Sequence, residues 1–434
     1  MARRETVQRE APSVTEKKKR RLVNLLVWAC WAVYAASMMS KKIYAVELVE
    51  VTKAWNTSNT QAGFPLTCYY ITYCIAQILF AIYIKKINVK KFFLVTVSAS
   101  SVFLMLVALT QSLTQLTIVM ALIGITHCGI WAGAMYLITM FVPEERHGYA
   151  VGVMSTGFPL GNFLAYLISA GAVGLGNWQY AFWAAGGILL ATVLLLFVVI
   201  GKADKNLDKI DRGTKESTVA SNGKRKKEGY SPNFIVSFTV IILAALAYQM
   251  MDMPIGTYLP KLFVSEFGMP ESYSILISLF LPIAVLGGPF LGTAVCSHRH
   301  VPFMKASNLF LAAALVCPVI LLFVYKVNIV LTLFLTVLYA TLIRGFNTCA
   351  GTFATWQIDS EMNAGSITAF ANAGATVACA IVPMLFGYLF DHRASSAWTI
   401  FYLIFIGVIV FMILLNAFAP SLIRILEKKK KADP

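Results

Sequence analysis

Four ionisable residues stand inside stretches that are otherwise apolar, and they are where this chain has chemistry to offer. Arg344 lies mid-run in Leu338-Tyr-Ala-Thr-Leu-Ile-Arg344-Gly-Phe346, and Asp252 lies in Tyr248-Gln-Met-Met-Asp252-Met-Pro254. Lys41 and Lys42 interrupt Tyr34-Ala-Ala-Ser-Met-Met-Ser-Lys41-Lys42-Ile-Tyr44. A cation held at that depth costs at least ~2.5 to 3.5 kcal/mol, so Arg344 must face a polar cavity or a paired acid. Asp252 is the obvious partner; standing alone, it would instead be a carrier for a coupling proton. Pro254 beside it frees a backbone carbonyl. On a helix Tyr34 and Lys41 share a face, while Lys42 is turned by about 100° and is expected to point elsewhere and matter less. Either lysine has a second reading, snorkelling to the outer interface.

Other polar residues in apolar runs are weaker signals. His127 reads either as a satisfied core histidine or as a ligand, and Gln77, Trp131, Asn162, Asn347, Asn372 and Thr376 either line a cavity or bond across helices. The expected binding set is Lys41, Arg344, Tyr34, Lys42, Tyr248, Gln77 and His127, with Asp252 in the coupling role. There is no P-loop, HExxH, Ser/His/Asp set or dinucleotide fingerprint, so neither an enzyme nor a cofactor is expected, and ATP-driven transport by this chain alone has no support. The eight cysteines form no CxxC pair and no metal-like spacing with histidine, which leaves them as free core thiols.

These residues must be positioned by membrane helices. Of 434 residues, 58% are hydrophobic and 13% charged, about half the charged share of an ordinary soluble domain. The charges gather between runs of ~20 apolar residues, the pattern of bilayer spans. Spans are expected near 22 to 46, 62 to 84, 92 to 110, 115 to 142, 148 to 174 and 178 to 200, and again near 233 to 263, 272 to 296, 303 to 325, 328 to 356, 364 to 390 and 398 to 420. The fold class is therefore an all-α membrane protein of twelve transmembrane helices in two pseudo-symmetric six-helix bundles, at 22 to 200 and 233 to 420. A basic N-tail (1 to 21), a polar linker (201 to 232) and a basic C-tail (421 to 434) complete the chain.

The net charge of +16 does not imply nucleic acid, because the basic residues sit between spans rather than along a groove. Connections on the linker's side carry 29 Lys and Arg, and those on the opposite side carry 4. That asymmetry puts both termini in the cytoplasm, and the long apolar run after Arg21 reads as a first span rather than a cleaved signal. The expectation is an integral plasma-membrane protein, of a bacterial inner membrane, working as a monomer in the bilayer.

The two halves also look duplicated. Glu145 is followed by Gly148, Gly152, Gly157 and Gly161, and Glu361 by Gly365, Ala369, Gly374 and Ala378, a ladder of small residues suited to close helix packing. The 6+6 layout with a basic linker resembles the major facilitator superfamily over nearly the whole chain. Pro143-Glu-Glu-Arg146-His-Gly148 looks like that superfamily's connection between helices four and five. Its loop between helices two and three appears here as Ala81-Ile-Tyr-Ile-Lys85-Lys86-Ile-Asn-Val-Lys90-Lys91, basic but without the usual acid.

Within the superfamily, Tyr34-Ala-Ala followed by Lys41-Lys42-Ile-Tyr44 is similar to the first helix of organophosphate:phosphate antiporters, and Asn177-Trp178 and Thr257-Tyr258-Leu259 echo that family too. The resemblance puts Lys41 in the place of a phosphate-binding arginine. It also shows departures: the family's second arginine falls at Met251, a histidine at Phe158 and a lysine at Gln77. Arg344 would restore a cation to the second half. The expected activity is that of a secondary carrier of a small organic anion, a phosphate ester or a carboxylate, and the resemblance implies exchange for phosphate. The rival readings are proton-coupled symport of a carboxylate such as a sugar acid, and a transporter-like sensor of a sugar phosphate.

Overall fold

The computed structural model describes residues 14–83, 86–143, 146–206, 231–299, 301–354, 364–393 and 396–432. The expected linker lies outside these residues from 207 to 230, as do Glu145 and Glu361 of the repeated turn. Every element described is helical, as hydrocarbon requires of a chain that must satisfy its own backbone. The first half comprises α1 (Val14–Val46), the short α2 (Leu48–Ala54), α3 (Asn59–Tyr83), α4 (Val89–Val107), α5 (Leu113–His127), α6 (Ile130–Phe141), α7 (His147–Ser155), α8 (Gly157–Gly174) and α9 (Gln179–Asn206). The second comprises α10 (Pro232–Phe267), α11 (Glu271–Ile277), α12 (Phe280–Arg299), α13 (Phe303–Val324), α14 (Ile329–Asn347), a π-helical turn (Thr348–Phe353), α15 (Ala364–His392) and α16 (Ala397–Ala432).

Twelve of these helical stretches are long and apolar enough to cross a membrane, with α5 and α6, α7 and α8, and α11 and α12 each sharing one span. Where spans end, local chemistry ends them. Asn88, Ser112, Ser231 and Asn328 each accept a backbone N–H at a helix start, and Gly268, at φ 62°, turns the chain out of α10. Phe290 and Phe323, 76% and 77% exposed, belong to the lipid-facing surface. The last helix runs through Pro420 to Ala432, where the composition predicts a separate tail from 421. Lysine has a good helix propensity, which lets the run from Lys428 continue the helix.

The duplication expected from the small-residue ladders is present in the packing. In the first half α3 packs on α5, α1 on α8 and α9, and α4 on α9. In the second, α12 packs on α14, α10 on α15 and α16, and α13 on α16, the same pairs six spans later. The ladder serves this contact: a Cβ on Gly161 would lie 2.7 Å from Met38 Cβ of α1, and one on Gly374 would lie 3.1 Å from Ile242 of α10. Gly161→Leu is therefore expected to abolish recovery of monodisperse protein from membranes. Wild-type yield and elution profile on size-exclusion chromatography would refute this.

The halves meet through α3 with α15, α8 with α11 and α12, and α1 with α10. At the end away from the linker Asp391 of α15 caps the start of α3. It accepts from Asn59 N (2.7 Å), Asn59 Nδ2 (2.7 Å), Thr60 N (2.8 Å) and Thr60 Oγ1 (2.6 Å). Lys261 donates to Asn59 Oδ1, Lys53 pairs with Glu271, and Thr67 Oγ1 donates to the Ala380 carbonyl (2.7 Å). These bonds, with the Tyr166–Gly256 bond at mid-depth, join the halves, and the end away from the linker is sealed by them.

Candidate functional site

A cavity of about 840 Å³, counting the part open to solvent, lies between α1, α3 and α8 of one half and α10, α12, α14 and α15 of the other. It is bordered by Lys41, Lys42 and Arg344 and by one carboxylate, Asp252. Met38, Phe158, Leu281 and Ala340 supply apolar wall, and Asn162, Gln249 and Thr257 supply neutral polar groups. This mix of apolar walls with a few convergent charges is the usual make-up of a small-molecule site.

Arg344 and Asp252 form the pair that burial demands. Arg344 Nη2 lies 2.8 Å from Asp252 Oδ1 and donates at 2.9 Å to Oδ2, while Nη1 donates to the Tyr248 hydroxyl at 3.0 Å. The Arg344 Nε–H is buried with no hydrogen-bond partner. The guanidinium also sits 6.0 Å from the ring centroid of Phe158, at the position where the resemblance puts a histidine. The π-helical turn that follows widens the helix where the Thr348 hydroxyl reaches back to the Arg344 carbonyl (3.0 Å). Such turns frequently mark functional sites.

The two lysines correct the helical-wheel argument. Both border the same cavity, although one helix turns about 100° between them. Lys41 Nζ lies over the rings of Tyr73 and Tyr70, at 4.8 and 5.4 Å from their centroids, so it faces α3. Lys42 Nζ reaches across to the second half, where it packs on Gly256, and lies 5.7 Å from the ring of Tyr166 in its own half. Gly256 leaves that room: a Cβ there would crowd the ammonium, which would have to move aside. Lys42 is also within electrostatic reach of Asp252 and Arg344, while Lys41 faces Cys379. A cavity that wraps a helix is wider than one face, and a long side chain widens its reach further.

The other expected site residues lie around the cavity rather than on it. Tyr248 stands behind Arg344. His127 is buried between the Ser40 hydroxyl (3.2 Å) and the Tyr69 hydroxyl (2.8 Å), the environment of a satisfied core histidine. Tyr34 packs on Trp131 with ring centroids 4.9 Å apart, and neither Tyr34 nor Gln77 is among the lining residues. Met251, where the resemblance puts an arginine, is fully buried in the core. Tyr70, Tyr166 and Gln249 line the cavity although the sequence motifs do not mark them. Tyr166 holds the halves together by donating to the Gly256 carbonyl (2.7 Å). One signal was available: Asn162, Tyr166 and Ser169 recur at i, i+4 and i+7, a polar stripe on an otherwise apolar helix.

Comparison with known proteins agrees with this architecture. Residues 30–360 match the family model of the Major Facilitator Superfamily. The chain is 22% identical over 302 residues to a benzoate transport protein of Acinetobacter baylyi, covering 62% of this chain and 64% of that one. It is 24% identical over 172 residues to a probable 4-methylmuconolactone transporter of Cupriavidus pinatubonensis, covering 39% and 40%. The chain spans between 27% and 64% of the length of the curated relatives it matches. Among solved structures, a bacterial homolog of the human lysosomal transporter Spinster superposes with a TM-score of 0.73 at 15% identity, over 94% of this chain and 98% of that one. With twelve helices among the described residues long and apolar enough to cross a membrane, a duplicated packing scheme and a family match over most of its length, the chain belongs to the major facilitator superfamily.

Proposed function

We propose that this transporter carries small organic carboxylates, binding them in the cavity between the halves and moving them as the halves rock about it, with the linker face toward the cytoplasm. The observation that carries this reading is the charge of the cavity, three cations against one carboxylate. The division of labour among the cations favours a carboxylate over a phosphate ester. Both Nη groups of Arg344 are engaged by Asp252 and Tyr248, so the two-pronged donor that suits a phosphate is already in use. What remains for a ligand is the part of the guanidinium that Asp252 and Tyr248 do not hold and two lysine ammonium groups, with apolar wall for an organic body. The names of the benzoate and 4-methylmuconolactone transporters point to the same chemical class.

Exchange of a phosphate ester for phosphate is the second reading, favoured by Lys41 bordering the cavity at the position of the antiporters' arginine. Counterflow in proteoliposomes against benzoate, a sugar acid, glycerol phosphate and inorganic phosphate separates the two. A carboxylate should exchange and the phosphates should not; phosphate-driven exchange of the ester, with no carboxylate flux, would overturn the proposal. Losing one partner of a buried charge contact costs ~2 to 5 kcal/mol. Lys42→Ala should therefore weaken half-saturation more than tenfold at unchanged membrane abundance, and Lys41→Ala should do less because its ammonium is held by two tyrosine rings.

A further inference from the structure

The seal away from the linker contains a buried acid that the transport site does not use. Glu47 follows the last residue of α1 and joins it to α2 without a break: its N–H donates to the Ile43 carbonyl (3.0 Å) and its own carbonyl accepts from Val51 N (3.0 Å). The residue is 0% exposed, and neither carboxylate oxygen has a hydrogen-bond partner. Ser169 of α8, the last member of the stripe that begins at Asn162, is also fully buried, and its hydroxyl too lacks a partner in hydrogen-bond geometry.

The groups brought to this end by the packed elements do not supply a cation. From α2 come Glu50, which is half-buried, and Lys53, which is spent on Glu271 of α11. From α8 come Ser169 and, toward the cavity, Tyr166, whose hydroxyl is committed to the Gly256 carbonyl. The α10 cation of the seal, Lys261, donates to Asn59. From α9 comes the ring of Phe182, and from the residue before that helix comes the ring of Trp178. Burial pushes the Glu47 carboxyl well above the usual carboxylate range; Ser169 draws it partly back, and the like charge of Glu50 raises it further. An ionised carboxylate with no partner is what a buried site tolerates least, and it neutralises by binding a proton.

We propose that Glu47 is a proton-binding switch of the seal, holding a proton while the end away from the linker is closed and ionising into water when that end opens. The reaction is the addition of one proton to one carboxylate, and no other group changes. The closed form then binds more protons than the open form between the ordinary carboxylate range and the raised value. By linkage, acid on that side favours closure, and closure weakens as pH rises through the raised value. The switch works whichever anion the cavity carries, so its failure and a failure of the carboxylate reading are separate results.

The test uses the full chain in nanodiscs, with spin labels at the exposed Asn56 and Tyr273 on opposite halves of the seal. Electron-electron distances are measured from pH 8 to pH 5. In the wild type the short-distance, closed population should grow on acidification. Glu47→Gln, which mimics the protonated side chain, should hold that population high and independent of pH. Ser169→Ala removes a group that favours the ionised form, so it should move the midpoint to higher pH; this variant deletes one hydroxyl and stands as the check should Glu47→Gln fail to fold. A wild-type distance distribution that ignores pH, a Glu47→Gln variant that titrates like the wild type, or a Ser169→Ala midpoint that stays or falls would each overturn the switch.

Discussion

Asp252→Ala is expected to be among the most damaging single changes outside the helix contacts, lowering thermal stability in detergent by the equivalent of ~3 to 5 kcal/mol, because it leaves the Arg344 guanidinium buried and unpaired. The side chains of the pair are only 13% and 18% exposed, so water cannot take over the missing contact. Removing both charges should repair much of this loss. Asp252→Leu combined with Arg344→Met should melt closer to the wild type than Asp252→Ala does, since a buried pair replaced by apolar groups of similar volume is often neutral. Transport should not return with stability, because the double variant has lost a cation from the cavity. Melting curves on three purified proteins, with counterflow on the same samples, decide the matter. A double variant that melts as low as Asp252→Ala would mean the pair is not what holds these helices in register.

The second large effect is expected at the seal. Asp391 accepts four hydrogen bonds from Asn59 and Thr60, two of them from backbone N–H groups at the positive end of α3. Asp391→Asn keeps the shape but loses the charge and turns one acceptor into a donor that faces other donors. A cap of this kind is worth about 2 kcal/mol, or roughly a 30-fold change in the balance between sealed and open forms. The variant should spend more time open on the side away from the linker. A cysteine at Lys42 in a cysteine-free background should then react with an impermeant maleimide from that side faster than the same cysteine with Asp391 intact. Equal rates would remove Asp391 from the seal.

Much of this arrangement was legible in the sequence because lipid is so restrictive a solvent. Twelve apolar runs have few alternatives to twelve helices, and an arginine and an aspartate stranded inside such runs have every reason to find each other, as Arg344 and Asp252 do. The ladder around Gly161 and Gly374 likewise states a packing need that the fold meets. What stayed hidden depends on the space between helices. The reach of Lys42 into the second half uses the space beside Gly256, which is 214 positions away and has no local mark. Tyr70 and Tyr166 read as ordinary membrane aromatics until the cavity gives them a role. Glu47 sits at the end of an apolar run, where a carboxylate normally meets water, yet it is fully buried beside Glu50 of α2 and Ser169 of α8.

The repetition of packing between the halves is not matched by a repetition of charge, and this has a consequence for any bound molecule. Geometrically the two walls of the cleft are near copies, yet one contributes both lysines and the other an arginine largely neutralised by its own aspartate. The walls therefore differ in potential, with the more positive one on the amino-terminal side. On the proposed function, a ligand with its charge at one end and an oily body at the other would meet a compass rather than a symmetric slot: its head would swing toward Lys41 and Lys42, and its tail would be left to Leu281 and Ala340. A duplicated scaffold that would otherwise accept a molecule either way round is thus given a single heading for it.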